Sequence, residues 1–75
     1  MKCHACGIGL CKLRTASQLL ERGVSSVVIR GVPALVCEHC GEVYFAAEVT
    51  RSLLHIAEAA FASGKELTLE QYRAA

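Results

Sequence analysis

The sequence predicts a single small α+β domain over residues 1–75, in which a β-hairpin and one main α-helix are combined with two cysteine loops. Three observations lead to this prediction. The phrase Cys-x-x-Cys-Gly occurs twice, at residues 3–7 and 37–41. The segment between the two copies contains a stretch dense in β-branched residues. The segment after the second copy has the three- and four-residue apolar spacing of a helix.

Length and composition limit the class of protein. Of the 75 residues, 53% are hydrophobic and 20% are charged, a balance that excludes a disordered linker. A chain this short buries only about 60% of its unfolded surface on folding, so we expect it to need an additional stabilising element. No apolar run approaches the ~20 residues of a membrane span, and the first residues lead into cysteines rather than into an apolar signal segment. We therefore expect a soluble, cytoplasmic protein.

The cysteines indicate a metal site. The chain has five of them, an odd number, and no export signal, which argues against a complete disulfide framework. Two residues between cysteines let a loop turn both sulfurs towards one point, and two such loops complete the tetrahedral four-thiolate site typical of zinc. Gly7 and Gly41 suit the tight turns and leave the following amides free to point at the thiolates. We predict one structural zinc ion per chain. Its ligands are Cys3, Cys6, Cys37 and Cys40.

The predicted zinc site stabilises the fold and does not catalyse, because four thiolates leave no coordination position for water. Structural zinc contributes about 10–16 kcal/mol in small peptides at neutral pH, more than the whole stability of a typical domain. The thirty residues between Cys6 and Cys37 exceed the usual spacing, so we expect them to form an element of their own.

The fifth cysteine and two histidines lie close to the predicted ligands. Four residues separate Cys11 from Cys6. No activating base accompanies Cys11, so we interpret it as a small core residue rather than as an alternative ligand or a redox thiol. His4 and His39 occupy positions between the paired cysteines, where side chains usually point outwards, and we do not expect them to bind the metal.

Residues 10–30 are predicted to form the hairpin. The second strand, over residues 24–30, follows a turn at residues 21–23, and residues 10–20 supply its partner. Because Pro33 has no amide hydrogen, we expect the second strand to be interrupted at residues 31–33. Residues 43–45 are expected to be a short extended segment whose aromatic side chains pack in the core rather than form a binding patch.

A helix is predicted from about residue 46 to residue 63. Its apolar face is formed by Val49, Leu53, Ile56, Ala57, Ala60 and Phe61. Gly64 and Lys65 then supply a helix-ending glycine and a cation near the negative end of the helix dipole. Residues 66–75 permit two interpretations. The capping-box pattern that begins at Thr68 favours a short terminal helix, whereas the alternation of residues 66–69 is that of a strand that another chain would complete.

The charge distribution does not indicate a nucleic-acid-binding tail, and the residue types do not indicate an active site. The net charge is +1, with +4 on residues 1–30 and −3 on the remainder. No run reaches the five or six like charges of a binding tail, and residues 10–30 contain no aromatic residue to stack on a nucleic acid. The chain contains no Asp and neither a Ser-His-Asp set nor a His-Glu-x-x-His pattern, so we expect no enzymatic activity.

Residues 28–45, VIRGVPALVCEHCGEVYF, with the first cysteine pair ahead of them and the predicted helix behind, resemble the YgiT-type zinc-finger family. This family includes the N-terminal zinc domain of MqsA-type antitoxins. The resemblance implies a zinc-stabilised hairpin and helix that binds and neutralises a small ribonuclease toxin of RelE-like fold. It also implies the same four cysteines as zinc ligands. Full-length MqsA-type antitoxins bind operator DNA through a C-terminal helix-turn-helix, for which these 75 residues leave no room, so we do not expect DNA binding by this chain alone.

Other classes of function remain open besides the antitoxin. A zinc-ribbon adaptor that binds nucleic acid or a transcription-related protein is the main alternative. A rubredoxin-like iron carrier would use the same four thiolates, and a thiol redox protein would need a βαβ context, which is absent.

For an antitoxin, we expect the partner to bind an unpaired strand edge of the hairpin at residues 12–30 or the terminal segment. Four apolar residues would be divided between the partner and the core: Leu19, Leu20, Val27 and Ile29. Acidic residues would steer a basic ribonuclease towards the chain. They are Glu42, Glu48, Glu66 and Glu70.

Overall fold

The chain folds into a four-stranded sheet and one helix within residues 2–74, which are the residues that the computed structural model describes. In chain order the elements are β1 (Cys11–Arg22), β2 (Ser25–Cys37), β3 (Val43–Tyr44), α1 (Ala47–Ala62) and β4 (Leu67–Gln71). The antiparallel hairpin, the helix that follows it and the clustered cysteines confirm the predicted α+β class.

The hairpin of β1 and β2 is longer than the predicted residues 10–30. The two strands pair from the tip, where Arg22 is opposite Ser25, to the base, where Cys11 is opposite Cys37. Strands of twelve and thirteen residues, at about 3.3 Å per residue, extend for about 40 Å, in agreement with a longest molecular dimension of 43 Å. The tip and the base are therefore well separated, and Cys37 lies at the base.

The expected interruption of β2 at residues 31–33 is wrong, because the strand accommodates these residues with a β-bulge. Arg30 and Gly31 together oppose the single residue Ser17 of β1. Gly31 has a φ of 70°, which glycine adopts without strain. Pro33 lies between the part of β2 that pairs with β4 and the part that pairs with β3, so its missing amide hydrogen removes no bond to either strand. After the bulge, the alternation of buried and exposed side chains along β2 is shifted by one residue. The buried positions of β2 before Cys37 are Val27, Ile29, Val32 and Ala34.

Two short strands pair with the other edge of β2. β3 pairs antiparallel with Leu35 and Val36, which confirms the short extended segment after the second cysteine loop. β4 pairs parallel with the tip half of β2, from Ser26 to Arg30. The terminal helix that the capping-box pattern favoured for residues 66–75 is therefore wrong. The last residue of that prediction, Ala75, lies outside the described residues. The alternating pattern forms a strand that β2 of the same chain completes.

α1 covers one face of the sheet. Its buried residues are Val49, Ser52, Leu53, Ile56, Ala57 and Ala60, which confirms the predicted apolar face. They pack against Val27, Ile29 and Val32 of β2, and Leu20, Phe45, Phe61 and Tyr72 lie at the margin of this core. The helix ends where the Ser63 amide donates to the Ala60 carbonyl at 3.2 Å and the Gly64 amide donates to the Phe61 carbonyl at 3.1 Å. Within residues 2–74, no helix is both long enough and apolar enough to cross a membrane.

Candidate metal centre

Four cysteine sulfurs meet at the base of the hairpin. The Sγ atoms of Cys3, Cys6, Cys37 and Cys40 all lie within 4.8 Å of one another. Two of the separations are 3.6 Å, between Cys3 and Cys40, and 3.7 Å, between Cys6 and Cys37. Four sulfurs around one ion at 2.3 Å form a tetrahedron with edges of about 3.8 Å, whereas a disulfide would bring two sulfurs to about 2.05 Å. The spacing therefore fits a four-thiolate metal site formed by the predicted residues.

The strands and the loops hold the sulfurs in place through backbone hydrogen bonds. Cys37 ends β2, and its amide donates to the Glu42 carbonyl at 2.9 Å, which closes the second loop. The Cys3 amide donates to the Gly9 carbonyl at 2.8 Å, which closes the first loop. The Glu38 amide donates to the Leu10 carbonyl at 3.0 Å and so joins the two loops.

The two cysteine loops share one geometry. The Gly7 amide donates to the Cys3 carbonyl at 3.0 Å, and the Gly41 amide donates to the Cys37 carbonyl at 3.1 Å. Both glycines have positive φ angles, 74° and 77°, in the left-handed region that favours glycine. The repeated sequence phrase therefore produces a repeated tight turn, as predicted.

Backbone amides of the loops point at the sulfurs. The amides of His39 and Cys40 both donate to Cys37 Sγ at 3.4 Å, and the Gly9 amide donates to Cys6 Sγ at 3.4 Å. Hydrogen bonds to the charged form of a group favour that form, so these amides stabilise thiolates. Thiolates are the form in which cysteine binds metals.

The first loop favours thiolates even without a metal. The Cys6 amide, followed by the Tyr44 hydroxyl, lowers the pKa of Cys3 to about 5 despite the opposing effect of burial. The amides of Ile8 and then Gly9 lower the pKa of Cys6. Two ligands are therefore held ready for a cation on this side of the site.

Cys40 differs from the other three because its side chain reaches the surface. The Glu42 amide lowers the pKa of Cys40, but desolvation of the sulfur and the neighbouring sulfurs raise it, and the net result is about 12. Crowding of the sulfurs disfavours a negative charge on Cys40. A cation among the sulfurs would offset this repulsion. Metal binding at this site should therefore displace the Cys40 proton.

Tyr44 supports the site, a role that the sequence argument missed by assigning residues 43–45 to the core. Its hydroxyl lies 3.6 Å from Cys3 Sγ and accepts a hydrogen bond from the Ala5 amide at 3.2 Å. The contact with Cys3 raises the pKa of Tyr44 to about 12, which keeps the hydroxyl proton available for donation. The signal that could have found Tyr44 is its place in the strand directly after the second loop, where pairing with Leu35 brings it back to the metal site.

Gly9 is a second residue that the sequence argument missed. A Cβ atom built on it would lie 2.5 Å from Cys37 Sγ and 2.7 Å from the Cβ of His39. A side chain at residue 9 would therefore occupy space that the second loop fills. No spacing pattern reveals this requirement, because Gly9 lies outside the repeated phrase.

Cys11 lies beside the four-sulfur group without belonging to it. It is opposite Cys37 in the hairpin, buried, and packed with Cys3. Burial raises the pKa of Cys11, so this thiol stays protonated. The prediction of a core residue is therefore confirmed. His4 and His39 are exposed and lie outside the four-ligand group, as expected.

A metal held by four thiolates has no open position for a substrate, so this arrangement can join the two loops to the hairpin but cannot activate water. Comparison of the chain with protein-family models, with curated proteins and with solved structures found no match.

Proposed function

We propose that this chain is an antitoxin-type protein, which binds and neutralises a small cytoplasmic ribonuclease toxin of RelE-like fold through a zinc-stabilised domain. Zinc is the preferred metal because tetrahedral four-cysteine shells are typical of its structural sites. The chain itself would perform no chemistry, since its metal shell is closed. The toxin class rests on the resemblance of residues 28–45 to YgiT-type zinc fingers.

The observation that carries this proposal is the free edge of β1. β1 pairs with β2 over its full length, and no strand within residues 2–74 pairs with its other edge. Along this twelve-residue strand, the N–H and C=O groups that point away from β2 pair with no other strand within residues 2–74, and they form a template to which a strand of another protein can add through main-chain hydrogen bonds. A zinc ion at the base would keep this edge rigid, which reduces the entropic cost of binding.

The side chains of β1 support binding at this edge. Leu13 and Leu19 are 71% and 52% exposed, so a strand beside β1 would contact both. Of the other expected contact residues, Val27 and Ile29 are fully buried under α1, and Leu20 packs at the margin of the same core. Only Leu19 of the four expected residues is therefore free for a partner, and Leu13 joins it.

A zinc-ribbon adaptor for nucleic acid or a transcription-related protein is the competing proposal. The basic residues Arg14 and Arg22 lie exposed on β1, and this favours an anionic ligand for the same edge. Lys12 contributes less, because its ammonium group is 3.1 Å from the Glu38 carboxylate. Nucleic-acid binding would weaken steeply with salt, whereas strand addition to a protein would persist at moderate salt.

The test is co-expression with the product of the adjacent open reading frame. That product should inhibit growth when expressed alone, copurify with this chain and be neutralised by it. Leu13→Lys should weaken the complex while metal content is retained, and Leu54→Lys, which changes an exposed leucine of α1, should leave it intact. A harmless neighbour, or one that does not copurify, would exclude the antitoxin and leave the adaptor. Complex formation that disappears at moderate salt would also favour the adaptor.

A further inference from the structure

The face of the sheet opposite α1 carries an apolar strip that no element within residues 2–74 covers. Leu19 of β1, Val28 of β2 and Leu69 of β4 lie in one row across three strands, and Leu67 lies in the next row. Leu19, Leu67 and Leu69 are 52%, 70% and 63% exposed. We refer to these four residues as the outer strip. A contiguous apolar patch on a small protein marks a binding surface more often than isolated exposed leucines do.

Two opposite charges flank the outer strip on the same face. Glu21 lies two residues from Leu19 on the side of the hairpin tip, and Arg30 lies two residues from Val28 on the side of the base. Both side chains are exposed. The ion pairs within residues 2–74 are Lys12–Glu38 and Arg73–Glu70, so neither Glu21 nor Arg30 has a charged partner there. The strip therefore has one unpaired charge of each sign, at about equal distances on its two sides.

We propose that the outer strip is the interface of a symmetric dimer, in which a second copy of this chain packs face to face on the sheet. A twofold axis along the row of Leu19, Val28 and Leu69 brings each of these residues against the same residue of the second copy. The axis also brings the row on the tip side of one copy against the row on the base side of the other. Glu21 of each copy then lies over Ser17 of the other, diagonally across from Arg30 on the neighbouring strand, and the two long side chains form two equivalent ion pairs. An unrelated partner would impose no such relation between the two charges, whereas a twofold interface requires the surface to be complementary to itself.

The dimensions of the molecule suit this dimer. Stable interfaces bury about 800 Å² per partner, which is about a sixth of the 4984 Å² of accessible surface. The hairpin provides a face along a molecular dimension of 43 Å. Two sheets pack about 10 Å apart at about 30°, a distance at which leucine and valine side chains interdigitate. The backbone edge of β1 stays open in this arrangement, although the second copy covers Leu19 and leaves Leu13 as the exposed leucine for a partner strand. The dimer does not depend on the proposed antitoxin function.

The first test is the oligomeric state of the zinc-loaded chain alone, measured by sedimentation equilibrium over a concentration series. The wild type should be dimeric at micromolar concentration, and Leu69→Lys should weaken dimerisation by about 30-fold or more, as for a central contact residue. Leu54→Lys, the matched exposed leucine on α1, should leave the dimer unchanged. Circular dichroism and metal content establish that each variant is folded.

The second test exchanges the two charges. Glu21→Arg and Arg30→Glu should each weaken the dimer about 10-fold, because each places like charges together, and the double variant should recover to within about threefold of the wild type. A wild type that stays monomeric, a dimer insensitive to Leu69→Lys, or a double variant without recovery would overturn the proposal. Dissociation by Leu13→Lys but not by Leu69→Lys would place the contact at the β1 edge and also overturn it. No toxin is present in either test, so the antitoxin proposal stands or falls separately.

Discussion

A methyl group added at Gly9 should displace one metal ligand, and the size of the effect follows from the space around it. The new Cβ of Gly9→Ala would lie 2.5 Å from Cys37 Sγ, whereas ordinary contacts begin at 3.4 Å, so the first loop and the sulfur must separate by about 0.9 Å. Metal–ligand distances tolerate about 0.2 Å. Changes in the groups that position ligands lower metal affinity about 10- to 100-fold. We expect the upper end of this range, a 100-fold loss or about 2.8 kcal/mol.

The assay for Gly9→Ala is competition with a chromophoric zinc chelator, supported by the thiolate absorption of the cobalt-substituted protein. Gly64→Ala is the matched control, because its new Cβ meets no atom within 4 Å although its φ of 77° is strained for alanine. The control should lose about 1–2 kcal/mol of stability without a change in metal affinity. Wild-type affinity in Gly9→Ala would show that the two loops can separate freely and would refute the steric argument.

Three further predictions concern the ligands and their surroundings. Cys40→Ser removes a ligand, so elemental analysis should find less than one zinc ion per chain. Cys11→Ser should keep its zinc, but it buries a hydroxyl and should lose about 1–3 kcal/mol of stability in denaturant titrations. A full zinc content in Cys40→Ser would contradict the ligand set. Tyr44→Phe should keep the fold but bind zinc about 10-fold more weakly, since it removes the hydroxyl at Cys3, and an unchanged affinity would exclude that role. Zinc binding at neutral pH should release at least one proton, measured by calorimetry in buffers of different ionisation enthalpy, because the pKa of Cys40 is about 12 without metal. Affinity should accordingly fall as the pH is lowered, and binding without proton release would contradict this assignment.

The features that the sequence predicts correctly are those with a local signal. Paired cysteines two residues apart specify their own loop geometry, and the repetition of the pair predicts that two such loops meet, so the four clustered sulfurs could be identified without coordinates. α1 begins and ends within one residue of the predicted bounds because its apolar spacing and Gly64 act within a few turns. The loop glycines Gly7 and Gly41 were predictable for the same reason.

The features that the sequence argument misses depend on contacts between distant residues. β4 pairs with Ser26–Arg30, about forty residues earlier, and this pairing outweighs the local capping pattern at Thr68. Gly31 and Pro33 look like a strand break when β2 is read alone. With β1 beside it, the same residues form a bulge that keeps Val32 on the buried face. The roles of Gly9 and Tyr44 likewise exist only after the first loop has folded against the second.

The central position of β2 links the metal centre to the rest of the fold. β2 pairs with each of the other three strands, packs against α1 through Val32, and ends five residues later at Cys37. Without a metal, four crowded sulfurs would oppose one another at the end of this strand, and β3, held by only two residue pairs, would lose its support. The base of the hairpin should then separate, and β1 would lose the rigid backbone that a partner strand requires. Under the proposed function, metal binding and partner binding at the β1 edge should therefore be thermodynamically linked, although none of the four clustered sulfurs belongs to β1.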